Sequence, residues 1–338
     1  MNAPVDWNLA FSAGKAVVKT GPRVSPEEAA ALVRELRVSA HKAAGHVAEF
    51  SQLDVGEVHP PVRVVDRVDW LEANISGLRQ AGDLLFPQEG HGLFRAVSAK
   101  ATALQAGTVL AYMSGRVLGQ FDVLSRAQGQ LLLVAPNIVD VERKLAVNPR
   151  DFRLWVCLHE VCHRTQFSAV PWLRSYFLDQ IGQFIKAGQD SEGASLERAA
   201  ATLAQVIRHP ESRSSVLDAV TAPEQRPAMD RLVALMTLLE GHADFVMDGV
   251  GPQVVPSVDS IRAKFNLRRQ PSNPLTALLQ RLLGVEAKLR QYAEGRAFVA
   301  AVVERTSIVN FNQIWASPET LPTPEEIEHP EQWVARVS

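Results

Sequence analysis

The chain has 338 residues, of which 46% are hydrophobic and 21% are charged, so its composition is typical of a globular protein and excludes a wholly disordered chain. Its 35 basic and 37 acidic side chains give a formal net charge of -2, and this balance provides no overall attraction to nucleic acid or to an anionic membrane. The sequence contains no run of about 18 apolar residues, so we expect no membrane-spanning segment.

The N-terminal segment and the two cysteines indicate the expected compartment. The first fifteen residues include Asp6 and lack both a basic start and an apolar stretch, so they do not have the pattern of a secretory signal. Cys157 and Cys162 are close in sequence, but on a helix their side chains point about 140° apart. We therefore expect reduced thiols in a cytoplasmic protein, with neither nucleic acid nor a membrane as a partner.

The N-terminal part of the chain is predicted to be helical. In the segment Ser25-Pro26-Glu27-Glu28, Ser25 is the expected N-cap, the proline fits the first helical turn, and the second glutamate completes a capping box. Asp69, followed by Glu72, repeats this pattern and predicts a second helix start. A long helix is expected from about Leu93 to Leu118.

Near the middle of the chain, the helical spacing of apolar residues gives way to a short continuous apolar run. Leu131–Val134 is a short apolar run between Gly129 and Pro136, and it is the best strand candidate in the sequence. Asn148 and Pro149 then begin a further helix, as its N-cap and its first residue. We therefore expect a small sheet among the helices.

The C-terminal half is predicted to contain helices between less regular segments. A mobile connection is expected over about Ala187–Ser215, and a helix is expected from Pro227 to about Met247. Two or three more helices fill about Asn273–Ser307. The tail from Ser317 is rich in proline, which favours an extended segment with short turns.

The motif that indicates chemistry is His159-Glu160-Val161-Cys162-His163, an H-E-x-x-H sequence. On a helix, His159 and His163 are about 40° apart and one turn along, so both imidazoles can bind one ion and supply half of a tetrahedral zinc site. Glu160 is offset from this pair and can act as a general base toward a zinc-activated water. The spacing therefore predicts one zinc ion per chain.

A catalytic zinc site needs a third protein ligand, and the segment Leu238–Asp244 offers the candidates. On the predicted helix, Glu240 and Asp244 share one face, whereas His242 points roughly 200° away from Glu240. We therefore predict that Glu240 binds the metal and that Asp244 accepts a hydrogen bond from a ligand histidine. His242 is the alternative ligand, and ordinary ion pairs are the alternative role for the two carboxylates.

Two further side chains are weaker candidates. Gln166 lies near His163 in the sequence and could orient this ligand or the substrate. Tyr292 could donate a hydrogen bond to the oxyanion that develops during hydrolysis. Structural packing is the more common role for residues of both types, so both assignments are left open.

Leu154–Phe167, together with Leu239–Asp244, resembles the actinobacterial zincin-like metallopeptidase family. This family was formerly described as a domain of unknown function or a hydrolase, and it is sometimes labelled as associated with biosynthesis of the deazaflavin coenzyme. Gly129–Asn137 resembles the strand of the family, and Phe311–Trp315 and Pro318–Thr323 resemble its C-terminal signature. The resemblance implies a mostly helical fold with one zinc ion but implies no substrate.

In zincins, a strand precedes the H-E-x-x-H helix, and its exposed edge binds an extended peptide by strand addition. Leu131–Val134 occupies the corresponding place in the sequence. Two hypotheses stay open for this strand: it binds substrate along an exposed edge, or it is an ordinary strand of the core.

We therefore expect a mainly α (α+β), zincin-like metallopeptidase fold with a small sheet and an H-E-x-x-H active-site helix. An N-terminal helical region, residues 1–125, is expected to pack on a catalytic region, residues 126–338, unless the two form one continuous domain. The expected function is zinc-dependent hydrolysis of an amide or peptide bond, with a peptide or a small amide as substrate. The alternatives are a zinc-binding scaffold without catalytic activity and a small-molecule amidohydrolase. The sequence indicates no oligomeric state.

Overall fold

The computed structural model describes residues 5–56, 60–85, 93–189, 223–269 and 285–337. The chain divides into two compact units, each made of two stretches of sequence. The first contains Met1–Ala169 and Val250–Lys264, and the second contains Val170–Gly249 and Phe265–Ser338. The division into residues 1–125 and 126–338 stays a prediction.

The N-terminal stretch of the first unit combines helices with a small sheet. Its described helices are α1 (Trp7–Val17), α2 (Pro26–Ser51), α3 (Arg67–Leu85), α4 (Leu93–Ser114), α5 (Ala135–Leu145) and α6 (Pro149–Ala169). Its described strands are β1 (Val62–Val65), β2 (Gly119–Asp122) and β3 (Gln130–Val134).

The rest of the described chain is helical. Its α-helices are α7 (Leu173–Gln189), α8 (Arg226–Val254), α9 (Val258–Arg269), α10 (Val285–Arg305), α11 (Ile308–Phe311), α12 (Pro324–Glu328) and α13 (Pro330–Val337). Gly251 interrupts α8 with φ 66° and ψ -170°, four residues after the predicted helix end near Met247. Most of the predicted connection at 187–215, and residues 273–284 of the predicted C-terminal helices, lie outside the described residues.

The sheet has the order β1-β3-β2, in which β1 runs parallel and β2 antiparallel to β3. The predicted strand at Leu131–Val134 is confirmed as part of β3, and these four side chains have no exposed surface. Because β3 pairs with a neighbour on each side, the hypothesis that it binds substrate along an exposed edge is wrong. Within the described sheet, β1 and β2 are the edge strands.

The predicted start of α2 is confirmed. The backbone N–H of Ser25 donates to the Glu28 carboxylate at 2.8 Å, and the backbone N–H of Glu28 donates to the Ser25 hydroxyl at 3.2 Å. This reciprocal pair satisfies two N–H groups at the start of the helix.

Two predicted helix limits are wrong. The Asp66 carboxylate accepts hydrogen bonds from the backbone N–H groups of Val68 and Asp69, both at 2.8 Å, so Asp66 rather than Asp69 caps α3. The long helix α4 begins at Leu93 as predicted, but it ends at Ser114 because a turn at residues 115–118 leads into β2.

A buried polar cluster joins α3, α5 and the end of α4. The Arg67 guanidinium donates to the side-chain oxygen of Asn137 at 2.7 Å. The amide nitrogen of Asn137 donates in turn to the backbone carbonyls of Ser114 and Val117, at 2.7 and 2.6 Å. Because buried polar groups are costly without partners, this chain of hydrogen bonds favours one arrangement of the elements beside the sheet.

The tail is helical, so the prediction of an extended segment is wrong. Pro324 and Pro330 stand at the first positions of α12 and α13, where a proline costs no intrahelical hydrogen bond. Thr323 caps α12 in a capping box with Glu326. Trp333 is 1% exposed and packs edge-on against Phe298 of α10, which fixes the tail on the second unit.

No helix among the described residues combines the length and the apolar character that crossing a bilayer requires.

Replacing two helical glycines by alanine should have opposite effects on the stability of the fold. A Cβ added at Gly45 in α2 meets nothing within 4 Å, whereas one at Gly241 in α8 would lie 2.1 Å from the carbonyl carbon of Gly295. We expect Gly45→Ala to raise the free energy of unfolding by about 1 kcal/mol through helix propensity. We expect Gly241→Ala to lower it by about 1–3 kcal/mol or more, because α8 and α10 must move apart.

Thermal unfolding followed by circular dichroism compares both variants with the wild type. A lower midpoint for Gly45→Ala, or an unchanged midpoint for Gly241→Ala, would contradict the packing described for these two helices.

Candidate metal centre

The helix that contains the H-E-x-x-H motif, α6, is fixed at its N-terminus. The Asn148 side chain accepts a hydrogen bond from the backbone N–H of Asp151 at 3.2 Å, and Pro149 is the first helical residue, as predicted. The Asp151 carboxylate accepts from the backbone N–H and the hydroxyl of Ser257, at 3.0 and 2.7 Å. These contacts set where the helix begins.

Arg153 joins α6 to α5 and α2. Its guanidinium donates two hydrogen bonds to the Glu142 carboxylate, at 2.9 and 2.6 Å, and contacts the Glu35 carboxylate as well. Burial opposes the charge on Arg153, but the hydrogen bonds and charges of Glu142 and Glu35 outweigh it and raise the pKa of the guanidinium. A bidentate pair has a defined geometry, so Arg153 restricts the rotation of α6 about its axis.

Apolar side chains on several sides of α6 are buried. They include Phe152, Val156, Cys157 and Val161, none of which is more than 2% exposed. Burial raises the pKa of the Cys157 thiol strongly, and the nearby charge of Glu160 adds to this shift. Because the thiolate is the form that binds metals, Cys157 is a poor ligand.

The histidines of the motif converge. The Nε2 atoms of His159 and His163 lie 3.3 Å apart, and their rings meet edge to face with centroids 4.8 Å apart. Zinc–imidazole bonds of about 2.0–2.1 Å in a tetrahedral site separate two ligand nitrogens by roughly 3.3 Å. The pair therefore has the spacing of two zinc ligands.

Gln166 contacts His163 on the side of its ring away from Nε2. Its side-chain oxygen lies 3.0 Å from Nδ1 of His163, and Gln166 has no exposed surface. When the amide oxygen accepts a hydrogen bond from Nδ1–H, Nε2 keeps its lone pair for a metal.

Glu160 lies beside β2, and Gly119, which was not predicted as a site residue, leaves space for its side chain. Glu160 is 7% exposed, and a Cβ added at Gly119 would lie 2.5 Å from its Cγ and 2.9 Å from its Oε1. Any larger residue at position 119 would displace the carboxylate. A glycine in a strand can mark such a close approach, but no strand was predicted at residue 119, so the sequence offered no signal for this contact.

Glu240 and Asp244 lie one turn apart on α8, and both are partly buried. The helix is held tightly beside them because Gly241 meets Gly295 of α10 with no space for a side chain on either residue. The close crossing restricts how α8 can shift or rotate within the second unit.

His242 is buried in an aromatic environment. Its ring stacks on Phe311 at a centroid distance of 5.6 Å and meets Trp315 edge-on at 5.5 Å. Only 1% of His242 is exposed. Phe311 and Trp315, the two ends of the segment that resembles a C-terminal signature, therefore pack against this histidine.

Among the described residues, His159, His163 and Glu240 form a set whose potential ligand atoms all lie within 4.8 Å of one another. Two imidazole nitrogens and one carboxylate oxygen are a donor set that suits a catalytic zinc ion. His242 does not belong to this set. The backbone of Tyr292 lies in α10, but its side chain lies outside the described residues.

Comparisons with known proteins agree with this description. The zincin-like metallopeptidase family matches residues 5–334, so the chain belongs to this family. The chain is also similar to a protein from Chloroflexus aurantiacus whose crystal structure is described as that of a presumed hydrolase with a novel fold. The two chains are 31% identical, the similarity covers 98% of each, and the TM-score is 0.70.

The curated proteins contain no match to the chain. The expected family and the expected mainly α (α+β) zincin-like fold are confirmed, whereas a restriction of the family to actinobacteria stays a prediction. Membership in this family indicates a hydrolase that uses a divalent metal ion, typically zinc.

The contact between Gln166 and His163 makes a prediction about metal affinity. We expect Gln166→Met to weaken zinc binding about 10–100-fold, because Nδ1 of His163 loses its acceptor. Competition with a chromophoric chelator measures the affinity. Gln166→Glu is the matched control, since it keeps an acceptor and should keep affinity near the wild-type value. Equal affinity in Gln166→Met and the wild type would exclude this role.

Proposed function

We propose that the protein is a zinc-dependent metallopeptidase that hydrolyses amide or peptide bonds. His159, His163 and Glu240 hold one zinc ion per chain in this proposal. The observation that carries it is the 3.3 Å separation of the two histidine Nε2 atoms, because side chains converge in this way when they share an ion. The proximity of Glu240 and the family membership support the same assignment.

Two other residues support the ligands. Gln166 holds Nδ1 of His163 and so presents Nε2 to the metal. Asp244 accepts a hydrogen bond from a ligand histidine, which is the usual role of a carboxylate next to a zinc-bound imidazole. The helical spacing of Glu240 and Asp244 favours this division of roles, since both project from one side of α8.

Glu160 is the general base. When bound, zinc supplies a Lewis acid that polarises the scissile carbonyl and makes water more acidic. Glu160 takes a proton from the attacking water and later delivers it to the leaving amine. Gly119 leaves room for the glutamate between α6 and β2, and burial of its side chain limits the positions that the carboxylate can adopt.

A peptide is the substrate that the sheet favours, and β2 is the strand that would bind it. Val134 N–H donates to the carbonyl of Leu118 at 2.8 Å, so in this antiparallel ladder the backbone groups of Gly119 and Phe121 face away from β3. Such outward groups can pair with an extended chain. A substrate paired there would lie next to Glu160, because Gly119 contacts this side chain.

The two alternative functions, a zinc-binding scaffold and a small-molecule amidohydrolase, predict different experimental results from this proposal. A scaffold protein would bind zinc but hydrolyse nothing, and its Glu160 would have no effect beyond packing. A small-molecule amidohydrolase would cleave small amides, and changes along β2 would not affect its activity. The two predictions that follow separate these possibilities.

The ligand assignment predicts metal content. We expect about one zinc per chain in the wild type, measured by mass spectrometry on protein purified without a polyhistidine tag. His163→Ala and Glu240→Ala should each lose the zinc, whereas His242→Ala should keep it because its ring lies between Phe311 and Trp315. Loss of zinc only in His163→Ala and His242→Ala would move the third ligand to His242.

The general-base assignment predicts a separation of binding from catalysis. We expect Glu160→Gln to keep its zinc and to lose activity by roughly 10²–10⁴-fold, since the amide cannot accept the proton. A mixed peptide library analysed by mass spectrometry provides the substrates and reports the cleavage sites. A zinc-loaded Glu160→Gln variant with full activity would disprove this assignment. Zinc-loaded wild type that cleaves small amides but no peptide would favour the amidohydrolase, and one that cleaves neither would favour the scaffold.

A further inference from the structure

We propose that the first unit has a second binding site, for a small organic carboxylate, on the face of α6 that lies against α2. A cavity of about 270 Å³ opens there. Its walls include small residues of α2 and polar residues of α6, namely Ala44, Gly45, Ala48, Arg164, Thr165 and Ser168.

Arg164 is a buried cation that lines this cavity. Only 9% of it is exposed, yet within the part of the chain that the structure describes its guanidinium has no carboxylate or hydrogen-bond partner. Arg153, on the same helix, shows the usual arrangement, because two glutamates neutralise it. Burying a charge without a partner is unfavourable, so the cavity favours an anion as its occupant.

Two hydroxyl groups lie beside this cation. The hydroxyl of Ser168 is buried and has no hydrogen-bond partner among the described residues. Ser168 follows Arg164 by one helical turn, so both side chains project from the same side of α6. Thr165 is 4% exposed and lines the same cavity, and His41 approaches it from α2. These donors suit a carboxylate. Its two oxygens can bind the guanidinium together, and they can also accept a hydrogen bond from a hydroxyl group.

The other walls indicate the kind of carboxylate. Ala44 and Ala48 of α2 and Val55 of the following loop provide an apolar lining. Such a lining suits a carbon skeleton better than a fully hydrated inorganic ion. Pockets for drug-sized ligands measure about 300–1,000 Å³, so a cavity just below this range fits a carboxylate with a single ring or a short chain.

This site is separate from the candidate metal centre. Around the axis of α6, Arg164 lies about 100° from His163, and Ser168 lies about 140° from it. Arg164 and Ser168 line the cavity together with residues of α2, whereas the histidines of the motif project from another side of α6. The proposal does not depend on the peptidase assignment.

Fluorine NMR with 4-fluorobenzoate as the probe tests this site on the full-length chain. We expect the probe to bind the wild type, and we expect Arg164→Gln to weaken binding by about tenfold or more, since a charge-assisted bidentate pair is lost. The neutral analogue 4-fluorobenzamide should bind weakly to both proteins for the same reason.

A second variant keeps the test independent of any effect of Arg164 on folding. A Cβ at Gly45 meets nothing within 4 Å, so Gly45→Leu can place its side chain in the cavity without a backbone clash. We expect Gly45→Leu to abolish binding and Gly45→Ala, the matched control, to keep most of it.

Three outcomes would overturn the proposal. Equal affinity of the wild type, Arg164→Gln and Gly45→Leu would mean that the probe binds elsewhere. Loss of binding in His163→Ala would mean that the carboxylate binds the metal centre, since this variant leaves the cavity intact. No binding of 4-fluorobenzoate to the wild type would mean that the cavity is not a carboxylate site.

Discussion

The helical spacing of His159 and His163 is the constraint on which the account of this protein depends. Residues four apart on a helix share a side, so two imidazole nitrogens can meet at 3.3 Å without any distortion of the backbone. This spacing can serve a metal site only if α6 keeps its position and its orientation about its own axis. The cap at Asn148 and the carboxylates that bind Arg153 supply that restraint within the first unit.

Close contacts at two glycines restrict the two glutamates of the proposed site. Gly119 leaves room for Glu160 beside β2, and Gly241 lets α8 approach α10 next to Glu240. In both cases a glycine stands beside a glutamate of the proposed site, in space or in sequence, and a methyl group at the glycine would displace its neighbour. The positions of these two glutamates thus depend partly on the absence of a side chain nearby, because a densely packed interior has no space for one.

The features that the sequence predicted well are local ones. The capping box of Ser25 and the cap of Asn148 depend on residues within one turn, and the H-E-x-x-H spacing depends only on helix geometry. The central place of β3 stayed open in the sequence, and the helical tail and the contact of Gly119 with Glu160 were missed, because partners distant in sequence determine all three. The proline-rich tail shows this clearly, since Pro324 and Pro330 fit helix starts as well as they fit an extended chain.

Anomalous X-ray diffraction from crystals of the zinc-loaded protein, recorded on both sides of the zinc absorption edge, tests the central claim most directly. The account predicts one strong peak per chain, about 2.0–2.2 Å from Nε2 of His159, Nε2 of His163 and a carboxylate oxygen of Glu240. A peak bound by other residues, or none near these histidines in zinc-loaded crystals, would contradict it.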